Sequence, residues 1–468
     1  MDQEEPLTAR TAPRRNRRVS AVVAGLVSSV MVLTGCGYED LDQYDLAQDG
    51  EGVAGGSACD EYADYGAFDD ATVSVFSSIR DAEAERFAKS FIQFEECTGI
   101  KIRWDGTGDF ENRLQERLAA KKAPDLAAVT QPGLVTELAR RKTLVRPGSD
   151  VVDQVTSRFS PEWVRYGTVD KVFYALPLGV NVKSLVWYSP DMFHEHGWKV
   201  PRTWAELEQL TERIAGVDGI KPWCAGMLQT PTGGTSGWPG TDWVEDVMLR
   251  TAGAAYYDAW VDHRIPFTHP KVVDAFTETG EFLRNPEYTN GGFGDVTSIN
   301  TTTWMEAGTP ILDGKCAMHR AASTYSDEWP ENARVGEDGD VYAFYLPARG
   351  GRFRPVLGGG EFLVAFNSRP ETRAVQRYLV SDEWIGLKVE AGHWISPSKG
   401  LNTESVEHPI DKLSLKILQD PKTVFRLDAS DRMPTAVGSK SFRKGMLEWF
   451  DGRSTRSVLD RIESSWPR

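Results

Sequence analysis

Hydrophobic positions along the body of the chain alternate between two periods. In "ATVSVFSSIR" (71–80) Val73 and Val75 alternate with polar residues, and this predicts a first strand. "DAEAERFAKSFIQFEECTG" follows, with Phe87, Phe91 and Phe94 at helical spacing and Gly99 as a stop. "IKIRWDG" (100–106) predicts a second strand. "DFENRLQERLAAKKAP" (109–124) predicts a helix with Asp109 at its N-cap and Leu114 and Leu118 on one face. "DLAAVTQPG" (125–133) predicts a third short strand ending in a turn. Strand, helix, strand, helix, strand implies parallel pairing in an α/β sheet. Ligands of such sheets gather at the carboxyl ends of the strands, which nominates Ser77, Ser78, Thr107, Gly108 and Gln131.

A second α/β region comes next. "VFYALPLGVNVKSLVWYS" (172–189) is extended and broken by proline, and Leu185 to Tyr188 predict a buried strand. "VPRTWAELEQLTERIAG" (200–216) combines Thr203 as N-cap, Glu206 three residues later and an apolar face of Leu207, Leu210 and Ile214, a capping box on an amphipathic helix. "IKPWCAGML" (220–228) predicts a strand, and "GTDWVEDVMLRTAG" (240–253) a helix with a glycine stop. Glycine-rich "VLGGGEFLVAFNSRP" (356–370) leads into a strand from Glu361 to Asn367. No internal repeat or low-complexity block interrupts the body.

The N-terminus is organised differently. Arg14, Arg15, Arg17 and Arg18 precede an apolar run from Val19 to Leu33. A basic region before a short apolar segment is an export signal, and about 15 residues are too few for a comfortable membrane span of ~20. The ending Leu33-Thr34-Gly35-Cys36 resembles the lipobox of bacterial lipoproteins. That resemblance implies a signal peptide over 1–36, cleavage before Cys36, acylation (palmitate among the acyl groups) of Cys36 and a stable two-chain anchor on the membrane. Residues 37–70 hold eleven Asp or Glu and no Lys or Arg. Such a stretch buries too little apolar surface to order itself, so it is expected to be a disordered acidic tether.

Charge narrows the partners. The chain carries a formal net charge of −15, and residues 1–35 bring five Arg against Asp2, Glu4 and Glu5, which leaves about −17 on the rest. Phosphate contacts need clustered bases, so nucleic acid is not an expected partner. Removing Cys36 leaves Cys59, Cys97, Cys224 and Cys316, an even number that suggests disulfides outside the cytoplasm, with three pairings open. No CxxC, HExxH, GxSxG or P-loop occurs, and "HEH" (194–196) reads as a polar loop or helix end. No metal or cofactor is expected.

Six segments in order carry a family resemblance: "PDLAAVTQPGLVTELA" (124–139), "ALPLGVNVKSLVWYS" (175–189), "TWAEL" (203–207), "GWPGTDWVEDVMLRTAG" (237–253), "GGGEFLVAF" (358–366) and "FRLDASDRMPTAVGSKSF" (425–442). Together they resemble family 1 extracellular solute-binding proteins, the sugar receptors of bacterial ABC importers, most closely the alpha-glucoside-binding branch, from about residue 72 to the C-terminus. The resemblance implies an α/β, two-lobe periplasmic-binding-protein-like fold (type II) with three hinge crossovers, near Gly179–Lys183, Gly358–Glu361 and Ile395–Gly400. An N-terminal lobe would combine 71–181 with 361–397, and a C-terminal lobe 182–360 with 398–468. Pairing each cysteine inside one lobe then gives Cys59–Cys97 and Cys224–Cys316. The expected molecule is an extracytoplasmic monomer, lipid-anchored to the outer face of the bacterial cell membrane. It would close around an oligosaccharide ligand and deliver it to the membrane permease subunits of an ABC importer.

A sugar offers weakly apolar C–H faces to aromatic rings and hydroxyls to fixed polar groups. Of the fifteen Trp, those in polar, glycine-flanked segments are the better candidates. These are Trp238 in "SGWPGTDW", Trp304 in "NTTTWMEAG", and Trp243 on the following helix; Thr241 and Asp242 are potential caps there, and Asp242 is also a ligand candidate. Gly358, Gly359 and Gly360 would let backbone approach the sugar, with Glu361, Asn181, Asp431 and Arg432 reaching its hydroxyls. Three rivals remain from sequence: a saccharide-acting enzyme built on Asp242, Glu245 and Glu361, a receptor of the same fold for a non-sugar solute, and a purely structural or adhesive lipoprotein.

Overall fold

The structure, a computed structural model, describes residues 59–229, 237–290, 293–350 and 352–467. Cys36, the export signal and the tether from 37 to 58 lie outside the described residues. Among the described residues no helix is long and apolar enough to cross a membrane.

The first predicted period becomes β1 (Ala71–Ser77), α1 (Asp81–Thr98), β2 (Ile100–Gly106), α2 (Phe110–Ala119), β3 (Leu126–Val129) and α3 (Pro132–Arg140). β1 pairs in parallel with both β2 and β3, and Ser77 stands opposite Gly106 on one side and Ala128 on the other. The carboxyl ends of three strands therefore meet at one edge. Phe87, Phe91 and Phe94 are all buried, as their spacing requires. Asp109 occupies the N-cap position of α2 but its side chain makes no cap hydrogen bond. Its carboxylate instead accepts from Asn112 Nδ2 at 2.7 Å, and its N–H donates to Thr107 Oγ1 at 3.3 Å.

After a small hairpin of β4 (Thr168–Val169) and β5 (Val172–Phe173), β6 (Leu176–Val182) runs into β7 (Leu185–Tyr188). β8 (Lys221–Cys224), β9 (Cys316–Arg320) and β10 (Tyr342–Tyr345) complete a second sheet in the order β10-β7-β9-β8. β8 is shorter than the predicted strand over 220–228. The last strands are β11 (Arg354–Ala365) and β12 (Thr423–Leu427), and they join the first sheet in the order β12-β11-β3-β1-β2, with β6 also on β11. β12 falls within 398–468 and pairs in parallel with Arg354–Gly358, within 182–360, both stretches being expected in the C-terminal lobe. The hydrophobic core follows the two sheets: Val73, Leu126, Phe362 and Trp384 under the first, Trp223, Trp260, Phe282 and Trp449 under the second.

Two local readings shift. The capping-box helix spans Trp204–Ala215, with Glu206 N donating to Thr203 Oγ1 at 3.2 Å, but Glu206 Oε2 accepts from Arg202 N at 2.7 Å rather than from the cap itself. The helix predicted from 240 begins at Trp238 and ends at Thr251, so Thr241 and Asp242 lie inside its first turns and are not its caps.

Disulfides join Cys59 to Cys97 and Cys224 to Cys316. The first corrects the reading of 59–70 as tether. Residues Asp60–Tyr65 form a 3-10 turn, and Tyr62 is buried against Phe94 and Tyr378. Composition missed this because the aromatic anchors Tyr62 and Tyr65 are diluted by acids. The second disulfide ties β8 to β9 across a separation of 92 residues. Replacing Cys224 and Cys316 together by Ser should cost about 2–4 kcal/mol, through the loop entropy it restores to the unfolded chain. Denaturant melts with and without the pair measure it.

Candidate functional site

The strand ends hold the residues nominated for them, with different fates. Ser77 is buried and its Oγ accepts from Ile79 N at 3.0 Å, so that hydroxyl shapes the turn into α1. Thr107 N donates to the Ser77 carbonyl at 3.0 Å. Ser78 is half-buried, Gly108 is exposed, and a Cβ on Gly108 would lie 3.3 Å from Arg80 Nη1. Gln131 occupies the N-cap position of α3. Its Nε2 donates to Glu111 Oε1 at 2.6 Å, while its buried Oε1 has no protein partner. An unmatched buried carbonyl is costly unless a donor arrives. Glu111 was not anticipated; its place two residues past Asp109, on the first turn of α2, was the available signal.

Trp238 and Trp304 come from the second lobe. Their rings meet edge to face with centroids 5.3 Å apart, and both are half-buried. Trp238 Nε1 donates to Gln229 Oε1 at 3.0 Å, which fixes the ring plane. Trp304 Nε1 is buried without a protein acceptor. Gly237 is needed beside them: its φ is +99°, and a Cβ there would meet the Arg443 carbonyl at 2.2 Å. Arg443 Nη2 reaches Asp431 Oδ1 at 3.4 Å. A Cβ on Gly133 would strike the Met433 carbonyl at 2.2 Å and lie 3.1 Å from that of Asp431. Thr435 N donates to Glu137 Oε1 at 3.0 Å. Contacts thus run from the tryptophans through Arg443 and Asp431 to the start of α3, beside Gln131.

Beneath Trp238 lies a charged floor. Lys183, at the β6–β7 junction, places Nζ 5.8 Å from the Trp238 ring centroid. It donates to Asp242 Oδ1 at 3.0 Å and to Asp428 Oδ2. Arg320 reaches Asp242 at 3.4 Å and Asp246 at 3.1 Å, and Arg250 also holds Asp246. Glu245 accepts from the backbone N–H groups of Ala429 and Ser430 at 2.7 and 3.1 Å. Asp242, Glu245 and Asp428 bring oxygens within 4.8 Å of one another. Lys183, Arg320 and those backbone donors already engage them. Lys183 and Asp428 were not among the sequence candidates. Lys183 read only as a crossover position, because its two acidic partners are 59 and 245 residues away in sequence.

Acids outnumber cations here. Burial, with the Asp428 charge adding to it against Lys183, pushes the Asp242 carboxyl up to about 7. Burial and Asp428 likewise push Asp431 up to about 7, and Glu245 well above the usual carboxylate range. Burial would raise Asp428 too, but Lys183 and the hydrogen bonds from Glu245 and Asp242 outweigh it and hold Asp428 well below. A folded carboxyl raised to about 7 keeps a proton that the unfolded one releases near 4, so its stabilisation is present at low pH and fades as pH rises toward 7. Asp431→Asn should therefore flatten the fall in thermal midpoint between pH 5 and 8, measured by melts at fixed ionic strength.

Seven of the candidates are engaged within the protein in this structure. Trp243 is buried, with its ring 5.1 Å from Trp223 and 6.2 Å from Phe282, and its side chain belongs to the core. Gly359 and Gly360 lie close against protein. They sit in β11 opposite Asn181 and Val180 of β6, where a Cβ would meet Asn181 Nδ2 at 2.8 Å and Trp163 at 2.9 Å. Asn181 Oδ1 accepts from Gly359 N at 3.0 Å, and buried Glu361 accepts from Trp394 Nε1 at 3.3 Å. Arg432 is turned to Asp258 and Asp262 and lies over the Tyr166 ring. Asp242 faces Lys183 and Arg320. Of the other candidates, Gln131 is held by Glu111, Asp431 by Arg443, and Trp238 and Trp304 meet each other.

Residues 77–383 match the family model described as bacterial extracellular solute-binding protein. The chain is 34% identical over 407 residues to the alpha-glucosides-binding periplasmic protein AglE of Rhizobium meliloti (strain 1021), covering 84% of this chain and 87% of that protein. It is 33% identical over 453 residues to the osmoprotective compounds-binding protein GgtB of Synechocystis sp. (strain ATCC 27184 / PCC 6803 / Kazusa), covering 95% and 99%. The solved structure of the bacterial solute receptor AcbH, described with an exclusive preference for b-D-galactopyranose, superposes with a TM-score of 0.70 at 17% identity, covering 84% of this chain and 98% of that one. At that identity the likeness is one of fold: two α/β lobes of the periplasmic-binding-protein kind.

Proposed function

The chain belongs to the bacterial extracellular solute-binding proteins, and from that premise we propose that it captures a carbohydrate, an alpha-glucoside or a related oligosaccharide, between its lobes and passes it to the permease of an ABC importer. The family and the fold are those of solute-binding proteins, not enzymes. The observation that carries the sugar reading is the aromatic pair Trp238–Trp304, with centroids 5.3 Å apart, and the unmatched Gln131 carbonyl at the start of α3 is a further acceptor. Rings take the C–H faces of a pyranose, and buried unpaired acceptors and donors take its hydroxyls. The relative described as alpha-glucosides-binding supports the glucoside branch. Two disulfides support an oxidising, extracytoplasmic location, and the lipobox-like Cys36 supports an anchor at the outer face of the membrane.

One observation favours a second reading. The relative described as binding osmoprotective compounds is nearly as similar over more of the chain, so a small osmolyte is the alternative ligand. A thermal-shift screen over maltose, trehalose, sucrose and malto-oligosaccharides, with glycine betaine and proline alongside, separates the two. Saturable stabilisation by a glucoside that is recovered unhydrolysed supports the proposal. Stabilisation by betaine or proline alone overturns it.

A further inference from the structure

Away from the tryptophans, the lobes touch at a second place. Arg86, on the second turn of α1, directs Nη2 to Asp327 Oδ2 at 2.7 Å. α1 packs on the first sheet through Phe87, Phe91 and Phe94. Asp327 belongs to the 3-10 segment Ser323–Glu328, which follows β9 of the second sheet. That segment is held in the second lobe by Tyr325, buried against Trp187 of β7 with ring centroids 5.9 Å apart. The ion pair therefore spans the lobes.

The other oxygen of the same carboxylate, Asp327 Oδ1, pairs with His393 Nδ1. His393 stands two residues before Ile395, whose carbonyl accepts from Val180 N at 2.9 Å, so it rides on a chain segment laid against β6 at the junction of the lobes. Its φ is +58°, in the left-handed region that non-glycine residues uncommonly occupy and histidine more often than most. Its ring lies 4.1 Å from that of His408, the residue before the helix Pro409–Gln419. Ile410 and Ile417 of that helix share a core with Trp187 and Tyr325. One carboxylate of the second lobe is thus gripped from the first lobe by Arg86 and from the junction by His393. Asp327 and Arg86 are partly shielded, at 31% and 17% side-chain exposure, so salt screens them less than a surface pair.

Any rotation that parts the lobes carries Arg86 with α1 and Asp327 with the second sheet, so the pair must break. We propose that Arg86, Asp327 and His393 form an interlobe latch that biases the protein toward approached lobes before ligand arrives and so helps set ligand affinity. The inference rests on the two-lobe fold and on no particular ligand.

The test uses the full chain without ligand. Nitroxides attached through an introduced keto side chain at exposed Lys121 and Lys199 report lobe separation by pulsed electron paramagnetic resonance. Arg86→Gln and Asp327→Asn should each move the open-to-closed ratio about fivefold toward the longer distance, the low end of ordinary coupling between sites. The double variant should move it no further, and Arg86→Lys should stay near wild type. Distance distributions in both single variants that superimpose on wild type, or single effects that simply add, overturn the latch. Should Arg86→Gln fail to fold, Asp327→Asn and His393→Gln read the same carboxylate, and unchanged distances in both overturn it equally.

Discussion

Replacing Lys183 by Met should lower folding stability by about 3–5 kcal/mol, the penalty for stranding a buried charge whose partner is gone. Lys183 joins the β6–β7 junction to Asp242 on the helix Trp238–Thr251 and to Asp428 just past β12. Without its ammonium, Asp242 keeps Arg320, but Asp428 loses the cation that holds its carboxyl low against burial. Asp428 must then take a proton, and the loss should grow as pH rises, since protonation of a buried carboxyl becomes dearer in basic solution. Denaturant melts at pH 5 and pH 8 measure both effects. The double variant Lys183→Met, Asp428→Asn should recover part of the loss, because removing both partners leaves no stranded charge. Equal midpoints for Lys183→Met and wild type at pH 8 would show that the ammonium is not what stabilises these acids.

The periodic parts of this fold were legible because periodicity reports burial directly. Phe87, Phe91 and Phe94 face the first core, Leu207, Leu210 and Ile214 the second, and Thr203 caps its helix as its spacing implies. The glycines of 358–360 were read for their freedom of approach, which is real, but what they approach is β6 and Trp163, a fact of tertiary pairing. The charged floor was the least legible feature. Its members come from 183–184, 242–250, 320 and 428–431; only Asp246 and Arg250 pair within one short window, and Lys183 and Arg320 meet their acids from far along the chain. Trp243 misled for a related reason: it sits five residues after Trp238, so the two rings share neither a helix face nor a fate, one half-buried beside Trp304 and the other in the core.

That divergence makes the two tryptophans a matched pair for testing the site. Trp238→Ala should weaken binding of the glucoside identified by the thermal screen by about 10- to 100-fold, equivalent to roughly 1.5–3 kcal/mol for removing an aromatic face from an apolar contact. The ligand-free fold should lose little, because the ring is half-buried and its one hydrogen bond, to Gln229, can pass to water. Trp238→Phe should fall between, keeping a π face while giving up area and the Gln229 anchor. Trp243→Ala should do the reverse. Emptying a fully packed indole site beside Trp223 and Phe282 should cost about 3–5 kcal/mol of stability and leave the affinity of the folded fraction nearly unchanged. Calorimetric titration paired with denaturant melts separates affinity from stability for all three. Wild-type affinity in Trp238→Ala would move the sugar platform away from this ring, and Trp304, edge-on to it with an unpaired indole N–H, would then be the aromatic to remove next.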